Sequence, residues 1–256
     1  MHGATIASSG VPNKNIGDAF LCVWPMAAGY GGSALAAELG GGSVSYADRA
    51  LGSAVAILRD IDASAPLLAY AKNARIASRL GSGWRVKLGF GLHVGWAIEG
   101  AIGSKHKVCP SYLSPHVNIA ARLESATKLY GVPILMSEAF VEALLLGEHH
   151  ACVRQIDCVR LKGSILPMGI FTYDDPDRVR ASIDIPYTQY CARFADALDQ
   201  YRQGDWAAAA ELLRACGGVF PEDEPVRVLL AFMAQSDFVA PPQWDGVRSL
   251  MEKGGD

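Results

Sequence analysis

The sequence predicts an α/β fold, a ferredoxin-like α+β sandwich with an all-helical tail after it. Three observations carry that expectation. Segments 16–24, 84–94, 96–102, 132–136, 152–161 and 168–173 alternate in polarity or are rich in β-branched and aromatic residues, as strands are. Stretches with apolar residues at helical spacing lie between them, and strands alternating with packed helices make a layered sandwich. After Tyr173 the composition changes: DDPDRVRASIDIP is charged and holds Pro176 and Pro186, and the residues beyond it read as helix.

Taken in order, residues 25–83 open with a Gly- and Ala-rich loop, GYGGSALAAELGGGS, and then give helical patterns near 48–60 and 66–80. From Val117 a further helix is expected, with Ile119, Leu123 and Ala126 on one apolar stripe. From Tyr187 two amphipathic helices joined at Gly204 and Asp205 resemble one tetratricopeptide unit. A lone hairpin of that kind needs a neighbour to cover its apolar face. The domain plan is therefore residues 1–175, a linker at 176–186 and a helical tail at 187–253.

Composition narrows the function classes. The 256 residues carry 23 basic and 26 acidic side chains, a formal net charge of -3, with the basic residues dispersed. That gives no electrostatic footprint for nucleic acid or an anionic membrane. The longest apolar stretch, Ala19 to Tyr30, is broken by Pro25 and is too short to span a bilayer. Cys22, Cys109, Cys152, Cys158, Cys191 and Cys216 form no CxxC pair, which points to a reducing, cytoplasmic setting, either of a free protein or of the cytosolic part of a larger membrane-anchored one. His149, His150, Cys152 and Cys158 fit no standard zinc spacing, and His93 reads as structural.

The stretch SYLSPHVNIAARLES, Ser111 to Ser125, carries the chemistry. Asn118 and Arg122 are four residues apart, so a helix places them on one face. A guanidinium offers a planar fork of donors to phosphate oxygens, and an amide donates without adding charge. Around it stand NKNIGDAFLCVW at 13–24, WRVKLGFGLHVGWAIEGAIGS at 84–104, YGVPILMSEAFVEAL at 130–144 and CVRLKGSILPMGIFTY at 158–173. In this order the five blocks resemble the catalytic domains of class III nucleotidyl cyclases, over roughly residues 11–173.

The resemblance implies an adenylate cyclase, in which two aspartates hold two divalent ions (Mg²⁺ or Mn²⁺) and the ribose 3′ hydroxyl attacks the α phosphorus of ATP. Asp18 in IGDAF matches the second metal aspartate. Lys14 and Ser111 match the positions that choose the base: an ammonium and a hydroxyl oxygen complement the N1 acceptor and amino donor of adenine. Guanylate cyclases resemble this pattern with Glu and commonly Cys at those places. Asn118 and Arg122 match the pair that orients ribose and stabilises the transferring phosphoryl group, and Lys162 in RLKG matches the lysine on the terminal phosphates.

Departures from the pattern also set expectations. The family's first metal aspartate, in a phrase like FxDI, is absent from MHGATIASSGVP, so the sequence is read as lacking the first strand and helix, with one of the two ions' aspartates present. Trp96 stands where many relatives carry an arginine, and Cys109–Pro110 where many have an acidic residue. The family works as a head-to-tail dimer with shared sites. Lys14, Ser111, Asn118, Arg122 and Lys162 all belong to the half that contacts base, ribose and phosphate. The expected partners are ATP and a second cyclase domain, identical or homologous; the alternatives are an incomplete or regulatory half that complements a cyclase partner, or a guanylate cyclase.

Overall fold

The computed structural model describes residues 1–16, 19–25, 44–71, 73–81, 84–104, 107–162, 164 and 166–250. The chain opens with a short helix α1 (His2–Ala7) and a hairpin, β1 (Val11–Ile16) antiparallel to β2 (Ala19–Val23). Three helices come next, α2 (Tyr46–Ala63), α3 (Ala65–Ala71) and α4 (Ala74–Leu80). Beyond them lie β3 (Phe90–Leu92), the hairpin β4 (Ile98–Ser104) with β5 (Lys107–Leu113), and helix α5 (Pro115–Tyr130). Strand β6 (Ile134–Ser137), the one-turn helices α6 (Glu138–Val141) and α7 (Gly147–His150), and strands β7 (Val153–Leu161) and β8 (Met168–Tyr173) complete the first part. The remainder is α8 (Pro176–Ser182), α9 (Tyr187–Gln203), α10 (Trp206–Val219), α11 (Glu224–Ala234) and a last strand, β9 (Arg248–Leu250).

The class is mixed α/β with a helical C-terminal region, as expected. Its main sheet has five strands in the order β3-β6-β8-β7-β9, with β3 parallel to β6, β7 parallel to β9, and the other pairs antiparallel. Strand β6 is buried on both faces. Ile134 and Met136 pack with Ala47, Leu51 and Ala54 of α2, while Leu135 joins Leu123 and Tyr130 of α5 and the helices of the tail. Alternate residues of a strand point to opposite faces, so two separate cores form on the two sides of one sheet.

Local chemistry fixes the helix ends. Ser45 and Asp48 make a reciprocal capping box at the start of α2. Asp48 also accepts the backbone N–H groups of Leu145 and Leu146 and contacts His149 Nδ1 at 3.0 Å, tying α2 to the α6–α7 region. Helix α5 ends at Gly131, whose φ of 65° is left-handed and suits glycine.

Several sequence expectations differ from the structure. The single strand expected at 16–24 is a hairpin that begins at Val11. The strand expected at 84–94 shrinks to Phe90–Leu92, and residues 107–113, read as no element, form the partner of β4. Pro110 interrupts the apolar pattern there, yet a two-stranded hairpin tolerates a residue without an N–H. The stretch expected as a linker carries helix α8. Finally, Arg248–Leu250, expected within the helical tail, forms strand β9. The expected loop at 29–43 lies outside the described residues.

The tail shares its core with the sheet. Tyr190, Phe194 and Leu198 of α9, Leu213 of α10 and Leu229 of α11 belong to the same apolar cluster as Ile156, Val159 and Ile170. The hairpin α9–α10 thus covers its apolar face with the sheet, and each fully buried aliphatic side chain stabilises by about 1.5–3 kcal/mol.

Candidate active site

Helix α5 is placed by a glycine on the strand beneath it. A Cβ on Gly91 would lie 2.1 Å from the carbonyl oxygen of Ala120 and 2.4 Å from the backbone nitrogen of Glu124, so only glycine allows this approach. Ser114 caps the helix, accepting from the His116 N–H at 3.0 Å and donating to the Trp96 carbonyl at 2.5 Å, with Pro115 at the first helical position. The helix therefore starts two residues earlier than expected.

Asn118 and Arg122 lie on the first turns of this helix, Asn118 exposed and Arg122 partly buried. Their four-residue spacing keeps both on one face, and Glu124 lies 4.0 Å from Lys128.

Two histidines brace the helix start. His93, just past β3, contacts Ser137 Oγ through Nδ1 and His116 Nδ1 through Nε2, both at 2.7 Å. The two rings stack with centroids 5.0 Å apart, and Trp96 meets His116 edge-on at 5.9 Å. Burial, and then the neighbouring His116, push the pKa of His93 down to about 4. A neutral His93 suits this geometry, because one ring nitrogen must carry a proton and its neighbour a lone pair. The structural role expected of His93 is what these contacts describe.

The two base-choosing candidates meet. Lys14 on β1 donates from Nζ to Ser111 Oγ on β5 at 2.9 Å, across 97 positions of sequence. Ser111 is 8% exposed, whereas Lys14 is exposed. An ammonium has three donors and a hydroxyl oxygen two lone pairs, so this bond leaves donors on Lys14 and an acceptor site on Ser111.

Lys162 stands on a different element, directly after β7, in a turn where the Ser164 N–H donates to the Leu161 carbonyl at 2.9 Å. Asp18, matched to a metal aspartate, lies outside the described residues. Among the described residues no group of three or more His, Cys, Asp or Glu could hold an ion. His149 and His150 instead contact Asp48 and the Leu144 carbonyl, and Cys158 is buried in β7.

Relatives in sequence stand beside this geometry. Over 156 residues the chain is 26% identical to the terminal-differentiation specific adenylate cyclase of Dictyostelium discoideum, covering 58% of this chain and 7% of that protein. It is 33% identical over 88 residues to the adenylate cyclase of Anabaena cylindrica, covering 34% of this chain and 17% of that one. A third match, adenylate cyclase 1 of Rhizobium meliloti (strain 1021), is 40% identical over 52 residues, covering 20% and 8%. The likeness is to adenylate cyclases.

The chain spans 17% or less of the length of each of these curated relatives. No protein-family model matches it. Among solved structures, a bacterial light-regulated adenylyl cyclase aligns with a TM-score of 0.47 at 18% identity, over 67% of this chain and 41% of that chain. The adenylyl cyclase CyaB from P. aeruginosa aligns with a TM-score of 0.44 at 18% identity, over 68% and 76%. No helix among the described residues is long and apolar enough to cross a membrane.

The sequence reading missed the buried polar groups that hold the sheet, α5 and the tail together. Tyr130 at the end of α5 donates to Asp157 of β7 at 2.6 Å, and Arg248 of β9 lies 3.9 Å from the same carboxylate. Arg154 joins Asp174 and Asp223. The one local signal was a charged residue inside a strand pattern, in VRQIDCVRL, which calls for a partner.

Proposed function

We propose that the chain carries the base-, ribose- and phosphate-binding half of an adenylate cyclase, which converts ATP to cyclic AMP and pyrophosphate. The observation that supports it best is the Lys14–Ser111 bond, which joins two sequence-distant groups of the complementarity that adenine requires. In this reading Lys14 donates to adenine N1, Ser111 accepts from the amino group, Asn118 orients the ribose, Arg122 stabilises the transferring phosphoryl group and Lys162 holds the terminal phosphates. The 3′ oxygen bonds to the α phosphorus, the bond from that phosphorus to the bridging oxygen breaks, pyrophosphate leaves and the hydroxyl proton passes to solvent. Positioning and positive charge are most of what such a transfer asks of a protein.

Two divalent ions accompany this chemistry in the family that the motifs resemble, with Asp18 as one ligand. The described residues do not make a two-ion site by themselves, so the reading rests on the groups that contact the nucleotide. A second cyclase domain, identical or homologous, is the proposed partner. Ile98 and Leu113, opposite each other on the β4–β5 hairpin and 61% and 62% exposed, form with Trp96 an apolar surface for it. Residues 1–175 form the cyclase region in this reading and 187–253 its helical tail.

The test is a cyclase assay with Mn²⁺ and ATP or GTP, on the chain alone and mixed with an intact homologous domain, beside binding of a fluorescent ATP analogue. Cyclic AMP from ATP is the expected product. Preference for GTP would overturn the roles of Lys14 and Ser111, and the absence of both turnover in the mixture and nucleotide binding would overturn the reading itself.

A further inference from the structure

We propose that the C-terminal strand Arg248–Leu250 is a positioning element of the phosphate site, fixing the strand end that carries Lys162. The proposal rests on the cyclase reading of Lys162 and adds a role for a segment that reading leaves unused.

Strand β9 pairs in parallel with the last three residues of β7, Val159 with Arg248, Arg160 with Ser249 and Leu161 with Leu250. Lys162 is the next residue. Three side-chain attachments hold the tail there. Arg160 Nη2 donates to Asp245 Oδ2 at 3.0 Å on the surface. Inside, Arg248 lies 3.9 Å from Asp157, which is also the acceptor for Tyr130, the last residue of α5. Trp244 donates from Nε1 to the Tyr201 carbonyl at 3.0 Å and packs against Tyr201, Trp206 and Phe232.

One segment therefore grips both elements that carry the phosphate contacts: the β7 end with Lys162, and the C-terminal end of the helix bearing Asn118 and Arg122. A strand end without a neighbour frays, and a lysine on a frayed end loses rotational freedom on meeting phosphate that a fixed one has already given up. The paired edge thus lowers the cost of placing Lys162 on the nucleotide.

The test is a double-mutant cycle read by binding of a fluorescent ATP analogue and of adenosine, which lacks phosphates. Lys162→Ala, Arg248→Met and the milder surface variant Asp245→Ala are compared singly and in combination, with circular dichroism as the check on folding. Arg248→Met is expected to weaken the ATP analogue about fivefold and Asp245→Ala less, with adenosine unchanged and with no further loss when either is added to Lys162→Ala. Additive losses, equal losses for adenosine, or no loss in a folded Arg248→Met and Asp245→Ala would overturn the tail's role. If Lys162→Ala itself leaves ATP binding unchanged, the cyclase reading of Lys162 fails instead, and the tail's role falls with it.

Discussion

Two arginines show how differently this chain uses the same side chain. Arg154 is buried between sheet and tail: Nε donates to Asp174 at 2.6 Å, Nη2 to Asp223 at 2.7 Å, and the guanidinium lies 4.4 Å from the centre of the Phe194 ring. Tyr187 and Tyr190 donate to the same two carboxylates. Burial opposes the charge on Arg154, but Asp174 and Asp223 keep it protonated well beyond the ordinary range. Arg122 sits partly buried on α5, on the face it shares with the exposed Asn118. A charge whose protein partners surround it locks elements together; Arg122, only partly buried on a braced helix, is not enclosed in this way.

The contrast is tested hardest at the buried arginine. Arg154→Met leaves two carboxylates without their cation and is expected to cost about 3–5 kcal/mol, measured by urea unfolding. By contrast, Arg122→Ala should leave the unfolding midpoint unmoved and lower cyclisation at least ~10³-fold with little change in nucleotide affinity. Equal stability losses in the two variants would erase the distinction.

Smaller effects refine it. Gly91→Ala forces the strand away from the backbone of α5 and is expected to cost about 1–3 kcal/mol while also lowering turnover, since it shifts the helix that carries Asn118 and Arg122. Next is the pH dependence of stability. His93 falls from 6.5 to about 4 on folding, so the unfolded chain binds more protons between those values. Its contribution is complete above pH 6.5 and shrinks as the pH falls toward 4, and His93→Gln should flatten that acid-side loss in denaturation measured against pH. Asp157 has the opposite sign. Burial, against Tyr130 and Arg248, raises it from 3.8 to about 6, so its contribution is present below 3.8 and is lost as the pH rises through 6. Asp157→Asn removes that slope. The smallest change is Lys14→Glu, on an exposed strand residue, expected to alter stability by less than about 0.5 kcal/mol while weakening the preference for ATP over GTP.

How far these features could be read in advance depends on their range along the chain. The helix of SYLSPHVNIAARLES was legible because periodicity and the four-residue spacing are both local. Strands β7 and β8 were legible because alternation over six to nine residues is local too. Strand β5 was hidden by Pro110, and α8 by the prolines at its flanks, one of which in fact starts the helix at its first position. Strand β9 could not be read at all: three residues hold too little periodicity, and β9 exists because β7 offers an edge.

Local sequence was enough to settle the mixed class and the helix bearing Asn118 and Arg122, because these depend on neighbours within a few residues. Tertiary packing was needed to bring Lys14 to Ser111, to place the tail on the core of the sheet and to set Arg248 beside Asp157. The first and last of these contacts join residues about 90 or more positions apart. Such contacts are decided by how the sheet closes and which faces it must cover, which no local pattern records.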